Sequence, residues 1–384
     1  MVLGIFFTRG VSLKYWVDSG LFFREKIIYE EFIKTHRYKK IIWFTYGNYD
    51  SKLAHELKKN KKLSNEIEVV CAPKIFKFSK IGSLLYSFIL PFIWNKKINE
   101  CNVLMTNQID GWWTAFLASK FFKKKFVLRS GYVQSQLEKK LKRMSKFRIK
   151  FMIFSEKLAL KKSNHIVFAS KHNLKYFQKT NPSCINKATI IPNFIEISKF
   201  NSFKSFGERI LNNRVLFVGR LSKEKNLFST IKAFSKLNIG LDVIGEGPLK
   251  DDLIQFSKTI KGDVKFLGKI PNDDLPKLYN EYPYYILPSF FEGMPKTLLE
   301  AMSCGCICIG SNVVGISQII KHKENGFLLK KFDSNGIIDT FKLIQKLSLK
   351  DCNVICENGI NNIKNNYSLK NVSNNYNNIF SKII

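Results

Sequence analysis

The sequence lacks several patterns that would assign it to a common class of protein. No stretch approaches the ~20 apolar residues that span a bilayer, and the longest apolar run, Ile81–Trp94, contains Gly82 and Pro91. The amino-terminal strand-like run breaks at Thr8, so we expect no signal peptide. None of the eight cysteines forms a C-x2-C pair, and no His/Cys set has zinc-ligand spacing. We therefore expect reduced thiols that act as small apolar residues in a cytosolic protein.

Acidic residues are scarce, with 30 Asp and Glu against 63 Lys and Arg, so the formal net charge is +33. Residues 1–200 alone hold 38 basic and 13 acidic side chains. Such a field favours an anionic partner, which could be nucleic acid, a phospholipid surface or a phosphorylated substrate. No helix-turn-helix, zinc-finger, RRM or KH pattern is present, so we expect no specific nucleic acid partner. A basic nucleic-acid-binding protein remains the alternative from a different class.

A chain of 384 residues is long enough for two domains. In the first half, short apolar runs alternate with amphipathic segments, as in a parallel sheet covered on both faces. The predicted strands are Val2–Phe7, Lys40–Tyr46, Glu68–Cys71, Val103–Thr106, Phe126–Arg129, His165–Ala169 and Ala188–Pro192. The predicted helices between them include Phe22–Thr35, Gly111–Phe122 and Ser155–Lys162.

The same alternation restarts after a polar, pattern-poor stretch. Its predicted strands are Arg214–Val218, Leu241–Ile244, Val264–Leu267, Tyr284–Leu287 and Cys306–Ile309, with helices between them. The sequence thus predicts an α/β protein of two Rossmann-like, doubly wound parallel-sheet domains facing a cleft. The predicted divisions are residues 1–195, a linker at 196–213, residues 214–366, and a terminal helix at 367–384 that crosses back to the first domain.

The sharpest motif is Gly219–Asn226, GRLSKEKN, which follows a predicted strand and opens a helix. Anions bind at such a loop, because free backbone N–H groups and the helix dipole point to the carboxyl edge of the sheet. Arg220 and Lys225 add two cations that suit a pyrophosphate. The alternative is a solvated basic turn.

A second motif places Glu292 before a helix that begins near Pro295, and Glu300 inside that helix. Eight helical positions correspond to ~12 Å, too far for the ~5–5.5 Å carboxylate pair of a retaining hydrolase. The two side chains therefore suit different parts of one long ligand. The alternative is a capping Glu292 and a surface Glu300.

Two weaker glycine signals follow predicted strands. Gly245-Glu246-Gly247 lacks the G-x-G-x-x-G spacing of a dinucleotide site, but it would let a backbone approach a flat ligand. Gly10 could likewise let an anion approach the backbone after the first strand.

Taken together, these motifs resemble the donor half of the retaining glycosyltransferases of family 4, which share the two-Rossmann GT-B architecture. The matching pieces stand in the family's order: Gly219-Arg220 with Lys225, IGEGP at Ile244–Pro248, FLGKI at Phe266–Ile270 and PSFFEGMPKTLLEAMSCG at Pro288–Gly305. The first half is similar at Thr8–Gly20, Asn107–Trp113, Leu128–Tyr132 and Ile190–Phe194.

The resemblance implies a role for each matching residue. Arg220 and Lys225 would hold the donor diphosphate and stabilise the leaving nucleoside diphosphate, and Glu292 would contact hydroxyls of the transferred sugar. Glu300 would hold the ribose. The backbone at Lys269 and Ile270 would meet the nucleobase, and Gly293, Met294 and Pro295 would lie beside the sugar and phosphate. The remaining donor-binding positions are Gly219, Gly245 and Gly10, the last in the glycine loop that would face the donor across the cleft.

The acceptor side is predicted around Asp110, Arg129 and Tyr132. Many relatives have a histidine where this chain has Arg129, and a guanidinium cannot act as a general base. The substrate would be a nucleoside-diphosphate sugar, with no cofactor and no metal, and the acceptor a glycan or a lipid-linked glycan. A sugar-nucleotide epimerase or a phosphorylase on the same fold is the alternative.

The segment Lys74–Lys97 places lysines on both sides of an apolar run that ends in Trp94. This arrangement is typical of an interfacial segment on an anionic membrane. We therefore predict a cytoplasmic protein that binds peripherally to the inner face of the plasma membrane. The alternative is a core helix with solvated lysines.

Overall fold

A computed structural model describes residues 1–35, 37–76, 78–131, 133–141 and 144–384. The chain forms two compact units. The first comprises Met1–Pro192 together with Ser373–Ile384, and the second comprises Asn193–Val372. Each unit is built on its own parallel sheet. The predicted fold class is therefore confirmed.

The first unit contains a seven-stranded sheet of order β3-β2-β1-β4-β5-β6-β7. Most of its strands are apolar and buried, which allows helices to cover both faces, whereas the edge strand β7 is only half-buried. The strands are β1 (Val2–Phe6), β2 (Lys40–Phe44), β3 (Ile67–Val70), β4 (Val103–Thr106), β5 (Lys125–Ser130), β6 (His165–Phe168) and β7 (Ala188–Ile190). Every strand predicted in this half is present.

The helices of the first unit fill the connections between these strands. They are α1 (Leu13–Asp18), α2 (Phe22–Lys34), α3 (Asp50–Lys59), α4 (Lys80–Ile93), α5 (Asn95–Glu100), α6 (Trp112–Phe121), α7 (Gln134–Leu141), α8 (Lys146–Lys162) and α9 (Lys171–Thr180), followed by a 3-10 turn at Pro182–Lys187. Helix α8 begins nine residues before the predicted Ser155–Lys162 helix.

The second unit contains a six-stranded parallel sheet of order β10-β9-β8-β11-β12-β13. The strands are β8 (Arg214–Val218), β9 (Gly240–Ile244), β10 (Val264–Gly268), β11 (Tyr284–Leu287), β12 (Ile307–Ser311) and β13 (Phe327–Leu329). The first five correspond to the predicted strands. The sixth was not predicted as a strand, because three residues give no measurable periodicity.

The helices of the second unit range from four to 18 residues in length. They are α10 (Phe206–Arg209), α11 (Leu227–Leu237), α12 (Lys250–Thr259), α13 (Leu275–Tyr279), α14 (Lys296–Ser303), α15 (Val314–Ser317), α16 (Ser334–Gln345) and α17 (Leu349–Asn366), with a 3-10 turn at Lys223–Lys225. The last helix, α18 (Leu369–Ile383), begins in the second unit, and its residues from Ser373 onward belong to the first.

The segment 196–213, predicted as a linker, is packed into the second unit. Phe200 and Phe206 are buried in its core. The buried Arg209 donates to the carbonyl of Cys304 at 2.8 Å. A capping box between Ser205 and Glu208 starts α10. The polar residues of this segment therefore cap a helix and supply one buried guanidinium, and they do not form a flexible linker.

The end of α18 packs on the first unit through aromatic side chains. Tyr376 and Phe380 contact Phe32, and the Tyr38 hydroxyl donates to Asn377 at 2.9 Å. Burial raises the pKa of Tyr376, so its hydroxyl stays protonated at neutral pH.

Among the residues that the structure describes, no helix has both the length and the apolar composition needed to cross a membrane.

Candidate active site

The predicted donor residues lie in loops at the carboxyl edge of the second sheet. Strands β8 and β11 are neighbours, and the chain leaves β8 towards β9 on one side and continues from β11 towards β12 on the other. This is the point where the strand order reverses, which is where open parallel sheets bind ligands. Arg220 and Lys225 follow β8, and Glu292 follows β11. The three predicted catalytic residues therefore flank the switch point.

Lys225 and Glu292 form an ion pair across this switch point, with Lys225 Nζ donating to Glu292 Oε1. Their side chains are only 16% and 11% exposed. The Ser289 hydroxyl donates to the same carboxylate oxygen at 2.7 Å. The backbone N–H of Phe290 donates to the carbonyl of Glu224 at 2.8 Å, which joins the two loops. The structure thus brings together two residues that lie 67 positions apart in the sequence.

Arg220 differs from Lys225 because its side chain is exposed at the end of β8. Its carbonyl accepts from the N–H of Ser222 at 3.0 Å, which fixes the backbone of the loop. An exposed guanidinium at this edge can turn towards an arriving anion and offer two parallel donors.

The glycine pair Gly245 and Gly247 is explained by packing between loops. Gly245 has a φ of +133°, and a side-chain carbon there would overlap the carbonyl oxygen of Gly219. At Gly247 the same carbon would overlap the carbonyl of Leu221. The N–H of Leu221 donates to the carbonyl of Glu246 at 3.0 Å. The pair thus holds the Arg220 loop in place, and contact of Gly245 with a ligand stays a prediction.

The loop that carries Glu292 packs against α15 on one side and has free space beside Gly293. A side-chain carbon at Gly315, in α15, would overlap the carbonyls of Glu292 and Gly293. One built at Gly293 meets no atom of the described part of the second unit within 4 Å. Space is therefore available beside Gly293, as its predicted place next to the sugar and phosphate requires.

Met294 and Pro295 complete this loop, and both are buried. The side-chain amide of Asn193 donates to the Met294 carbonyl at 2.9 Å. Pro295 has extended backbone dihedrals and caps α14. These contacts fix where the loop passes into the helix.

Glu300 is buried in α14 and accepts from the Tyr279 hydroxyl at 3.1 Å. The alternative of a surface glutamate is therefore wrong. Tyr279 lies on α13 and is itself fully buried. Its hydroxyl holds the Glu300 carboxylate in one orientation, and the predicted contact with a ribose stays a prediction.

Lys269 and Ile270 directly follow β10 at the same edge. Lys269 is exposed and Ile270 is half-buried against the core. The carbonyl of Gly268 accepts from the N–H of Gly245 at 2.8 Å, which connects the end of β10 to the turn that contains Gly245 and Gly247.

Asn226 is a positioning residue that the sequence analysis assigned only to the start of a helix. It has a left-handed φ of +56°, and its side-chain amide donates to the carbonyls of Pro288 and Phe332. Its own carbonyl accepts from the Thr230 hydroxyl at 3.0 Å. It therefore links the Lys225 loop to the Glu292 loop and to the loop after β13. The signal in the sequence that could have identified it is an asparagine at the boundary between a basic turn and a helix, since asparagine tolerates the left-handed conformation.

In the first unit, the switch point lies between β1 and β4. Gly10 follows β1 with a φ of +73°, and Asp110 follows β4. Asp110 accepts from the Nε and Nη2 of Arg9 at 3.3 Å each. A side-chain carbon at Gly111 would lie 3.1 Å from the Arg9 Cβ, so this position favours glycine. Arg9 is a second residue that the sequence analysis did not select.

Arg129 has contacts within the first unit, and its place on the acceptor side stays a prediction. It donates to the Tyr376 hydroxyl at 3.2 Å and to the Asn107 carbonyl at 3.0 Å. These contacts attach the end of α18 to the β5 edge. Tyr132 lies outside the described residues.

The described part of the chain contains no group of three or more His, Cys, Asp or Glu side chains placed to hold a metal ion. All eight cysteines are free, and seven are buried. Burial raises the pKa of Cys306 to about 12, so this thiol is not a nucleophile at neutral pH.

Comparison with known proteins places the chain in a family. A profile of the family described as "Glycosyl transferases group 1" matches residues 198–362. An uncharacterized glycosyltransferase of Methanocaldococcus jannaschii is 30% identical over 293 residues, which cover 70% of this chain and 71% of that protein. The chain belongs to the group 1 glycosyltransferases.

The Escherichia coli UDP-Gal:alpha-D-GlcNAc-diphosphoundecaprenol alpha-1,3-galactosyltransferase is 31% identical over 201 residues. These cover 48% of this chain and 51% of the relative, so the match spans about half of that protein. The crystal structure of Anabaena HepE in complex with UDP aligns over 100% of both chains with a TM-score of 0.76 at 16% identity. That likeness supports the GT-B fold.

Proposed function

We propose that the protein is a retaining glycosyltransferase of family 4 that moves a sugar from a nucleoside-diphosphate sugar to a glycan or lipid-linked acceptor. The reaction would serve the synthesis of a cell-surface polysaccharide or lipopolysaccharide. The observation that carries the proposal is the Lys225–Glu292 pair at the switch point, with the exposed Arg220 at the same edge. Membership of the family and the lipid-diphosphate substrate in the name of the E. coli relative support it.

The chemistry follows from charge. Breaking a glycosyl–phosphate bond develops positive charge at the anomeric carbon and negative charge on the departing diphosphate. Preorganised cations at the diphosphate lower that barrier directly. Lys225 and Arg220 supply two such charges, so the reaction needs no metal in our proposal.

The ion pair also suggests how the donor engages. A diphosphate that takes up Lys225 releases the Glu292 carboxylate from its partner. The freed carboxylate can then accept hydrogen bonds from the sugar hydroxyls, with the Ser289 hydroxyl holding it in place. The acceptor attacks on the face that the diphosphate leaves, which retains the configuration.

We place the protein in the cytoplasm, bound peripherally to the membrane through the Lys74–Lys97 segment. In the structure α4 forms most of this segment, and apolar side chains on it are exposed, including Ile81 and Leu85. Exposed apolar residues close to lysines favour an interfacial segment over a core helix.

A ligand screen followed by a mass-balance assay tests the proposal. UDP-, GDP- and ADP-sugars are compared by thermal shift, because a ligand at 100 times its Kd stabilises by ~2.7 kcal/mol. The best donor is then incubated with candidate acceptors. Consumption of donor and acceptor in equal amounts is expected, with the new bond in the donor's anomeric configuration. Conversion of the donor with no acceptor consumed would indicate an epimerase and reject the proposal.

A further inference from the structure

The first unit contains a cavity of about 730 Å³ that the donor chemistry does not use. Its volume is in the range of small-molecule pockets. Helices α4, α6 and α8 supply most of its lining. The apolar residues that line it include Leu84, Phe88, Trp112, Trp113, Phe151 and Phe154. We call this cavity the α4–α8 groove.

The tryptophans of the groove are fixed to both neighbouring helices. Trp113 donates to the Ser87 hydroxyl of α4 at 2.9 Å, and its ring stacks on Phe88. Trp112 donates to the Ser155 hydroxyl of α8 at 3.0 Å. Because both indole N–H groups are satisfied, an apolar ligand can cover these rings without burying an unpaired donor. The groove is preformed.

Helix α8 carries three large apolar side chains that lie outside the core. Phe147, Phe151 and Phe154 recur at positions i, i+4 and i+7, so they share one face. They are 79%, 65% and 62% exposed, and all three line the groove. Three exposed phenylalanines beside an apolar cavity indicate a surface that is covered by a ligand.

The polar residues of the groove identify the other end of that ligand. Arg9 and Asp110 line it at the β1/β4 switch point, the edge where a parallel sheet presents its ligands. Arg148 lines it from α8, and the exposed Lys146 and Lys150 flank it in sequence. Of the two carboxylates in the lining, Asp110 is paired with Arg9, and Glu156 accepts from the Ser135 hydroxyl and N–H. The exposed guanidinium of Arg148 at the edge of the apolar trough therefore complements a molecule with a long hydrocarbon chain and a phosphate head.

A flat bilayer does not account for the buried part of this lining. Ile109 and Trp112 are buried yet line the cavity, so only a chain that has left the bilayer can reach them. We infer that the α4–α8 groove binds the hydrocarbon chain of a single lipid phosphate, the lipid part of the acceptor, with the phosphate near Arg9 and Arg148. This inference rests on the proposed function, because it names the acceptor class of the same reaction.

Two water-soluble probes test the groove without the acceptor's glycan. Farnesyl diphosphate and isopentenyl diphosphate have the same head group but 15 and 5 carbons, and Trp112 and Trp113 report binding by fluorescence. We expect farnesyl diphosphate to bind at least tenfold tighter. The double variant Phe151→Ser/Phe154→Ser should lose that preference. Arg148→Gln should weaken the binding of both probes.

The control variant is Phe203→Ser/Leu211→Ser, which removes two exposed apolar side chains from the second unit. It should bind both probes as the native chain does. Two further measurements test the other occupants of the groove. Binding to phosphatidylglycerol vesicles tests a bilayer surface, and sedimentation of the free protein tests a second copy of the chain. Binding to vesicles without a preference for the longer probe would overturn the inference in favour of a bilayer surface. A dimer that Phe151→Ser/Phe154→Ser dissociates, without that preference, would overturn it in favour of a second copy.

The thermal-shift screen with sugar nucleotides keeps this result separate from the proposed function. A chain that binds farnesyl diphosphate in the groove but no sugar nucleotide refutes the glycosyltransferase proposal alone. A chain that binds a sugar nucleotide but shows no chain-length preference refutes the groove alone.

Discussion

Replacing Glu292 by glutamine should make the protein bind a free nucleoside diphosphate more tightly while it transfers sugar more slowly. In the structure Lys225 is paired with Glu292, so a diphosphate must compete with this carboxylate for the lysine. Glutamine removes the competing charge and the repulsion between carboxylate and phosphate. It keeps an oxygen that can accept from the Ser289 hydroxyl, so the loop should persist.

The size of the effect follows from the burial of the pair. With side chains only 16% and 11% exposed, the pair is shielded from water on most sides. A hydrogen bond to a charged group is worth about 1.5–3 kcal/mol in such a setting, which corresponds to roughly ten- to a hundredfold in affinity. We expect the lower end of this range, about tenfold tighter diphosphate binding, for Glu292→Gln. Glutamine can still accept a hydrogen bond from Lys225, so the substitution weakens the competing contact without removing it.

The assay is calorimetry with UDP, GDP and ADP, using whichever binds the native chain best. Lys225→Ala should weaken binding by at least tenfold. In the Lys225→Ala background, adding Glu292→Gln should have a much smaller effect than it has in the native chain, and the difference measures the coupling. Steady-state transfer by Glu292→Gln should fall more than tenfold. If Glu292→Gln and Lys225→Ala change diphosphate binding in the same direction, the competition model is wrong.

Four further outcomes are expected. Arg220→Ala should lower donor turnover more than tenfold with an unchanged melting temperature, and a near-native rate would remove Arg220 from the site. Glu300→Gln should weaken both diphosphate binding and transfer, and calorimetry that shows only one loss would contradict its assignment to the ribose. Gly245→Ala should reduce the free energy of unfolding in urea by about 2 kcal/mol or more, because of its φ and its contact with the next loop, whereas Gly293→Ala should not. Vesicle co-sedimentation should fall when the five lysines of Lys74–Lys97 become glutamine, since each contributes about 1 kcal/mol, and equal sedimentation of native and variant chains would show that this segment is not the anchor.

The strands could be predicted because parallel strands buried on both faces leave an almost uninterrupted apolar run. Ile41, Ile42, Trp43 and Phe44 are all fully buried, and similar buried apolar runs form β1, β4 and β6. The positions of Arg220, Lys225 and Glu292 at the carboxyl edge follow from those strands and from the rule for parallel sheets. The sequence therefore predicted that these three residues share one edge of the second sheet.

The contact between Lys225 and Glu292 could not be predicted from the sequence, because it depends on which strands are neighbours. The sequence shows that one residue follows β8 and the other β11, but not that β11 pairs with β8. The same limit applies to Arg9 and Asp110, which meet because β4 pairs with β1. Strand pairing is decided by the packing of the whole sheet.

Helix α8 shows where periodicity misled. Phe147, Phe151 and Phe154 share one face of its amino-terminal half, but Ile149 and Ile153 lie on the opposite side, so the helix has no single apolar stripe. Only the part from Ser155 onward, where Glu156, Ala159 and Leu160 are buried, has a pattern that predicts a helix.

The two units therefore present different chemistry at equivalent positions of the same fold. In the second unit the switch point is bridged by Lys225 and Glu292, whose contact a diphosphate can exchange for its own. In the first it is bridged by Arg9 and Asp110, beside an apolar groove and within a half of the chain where basic residues outnumber acidic ones by 38 to 13. If the proposals hold, Lys225→Ala should raise the donor KM or lower kcat with every acceptor. Losses at Phe151 and Phe154 should affect only acceptors with a long chain. A change at either position that alters both dependences equally would show that the two sites do not divide the reaction in this way.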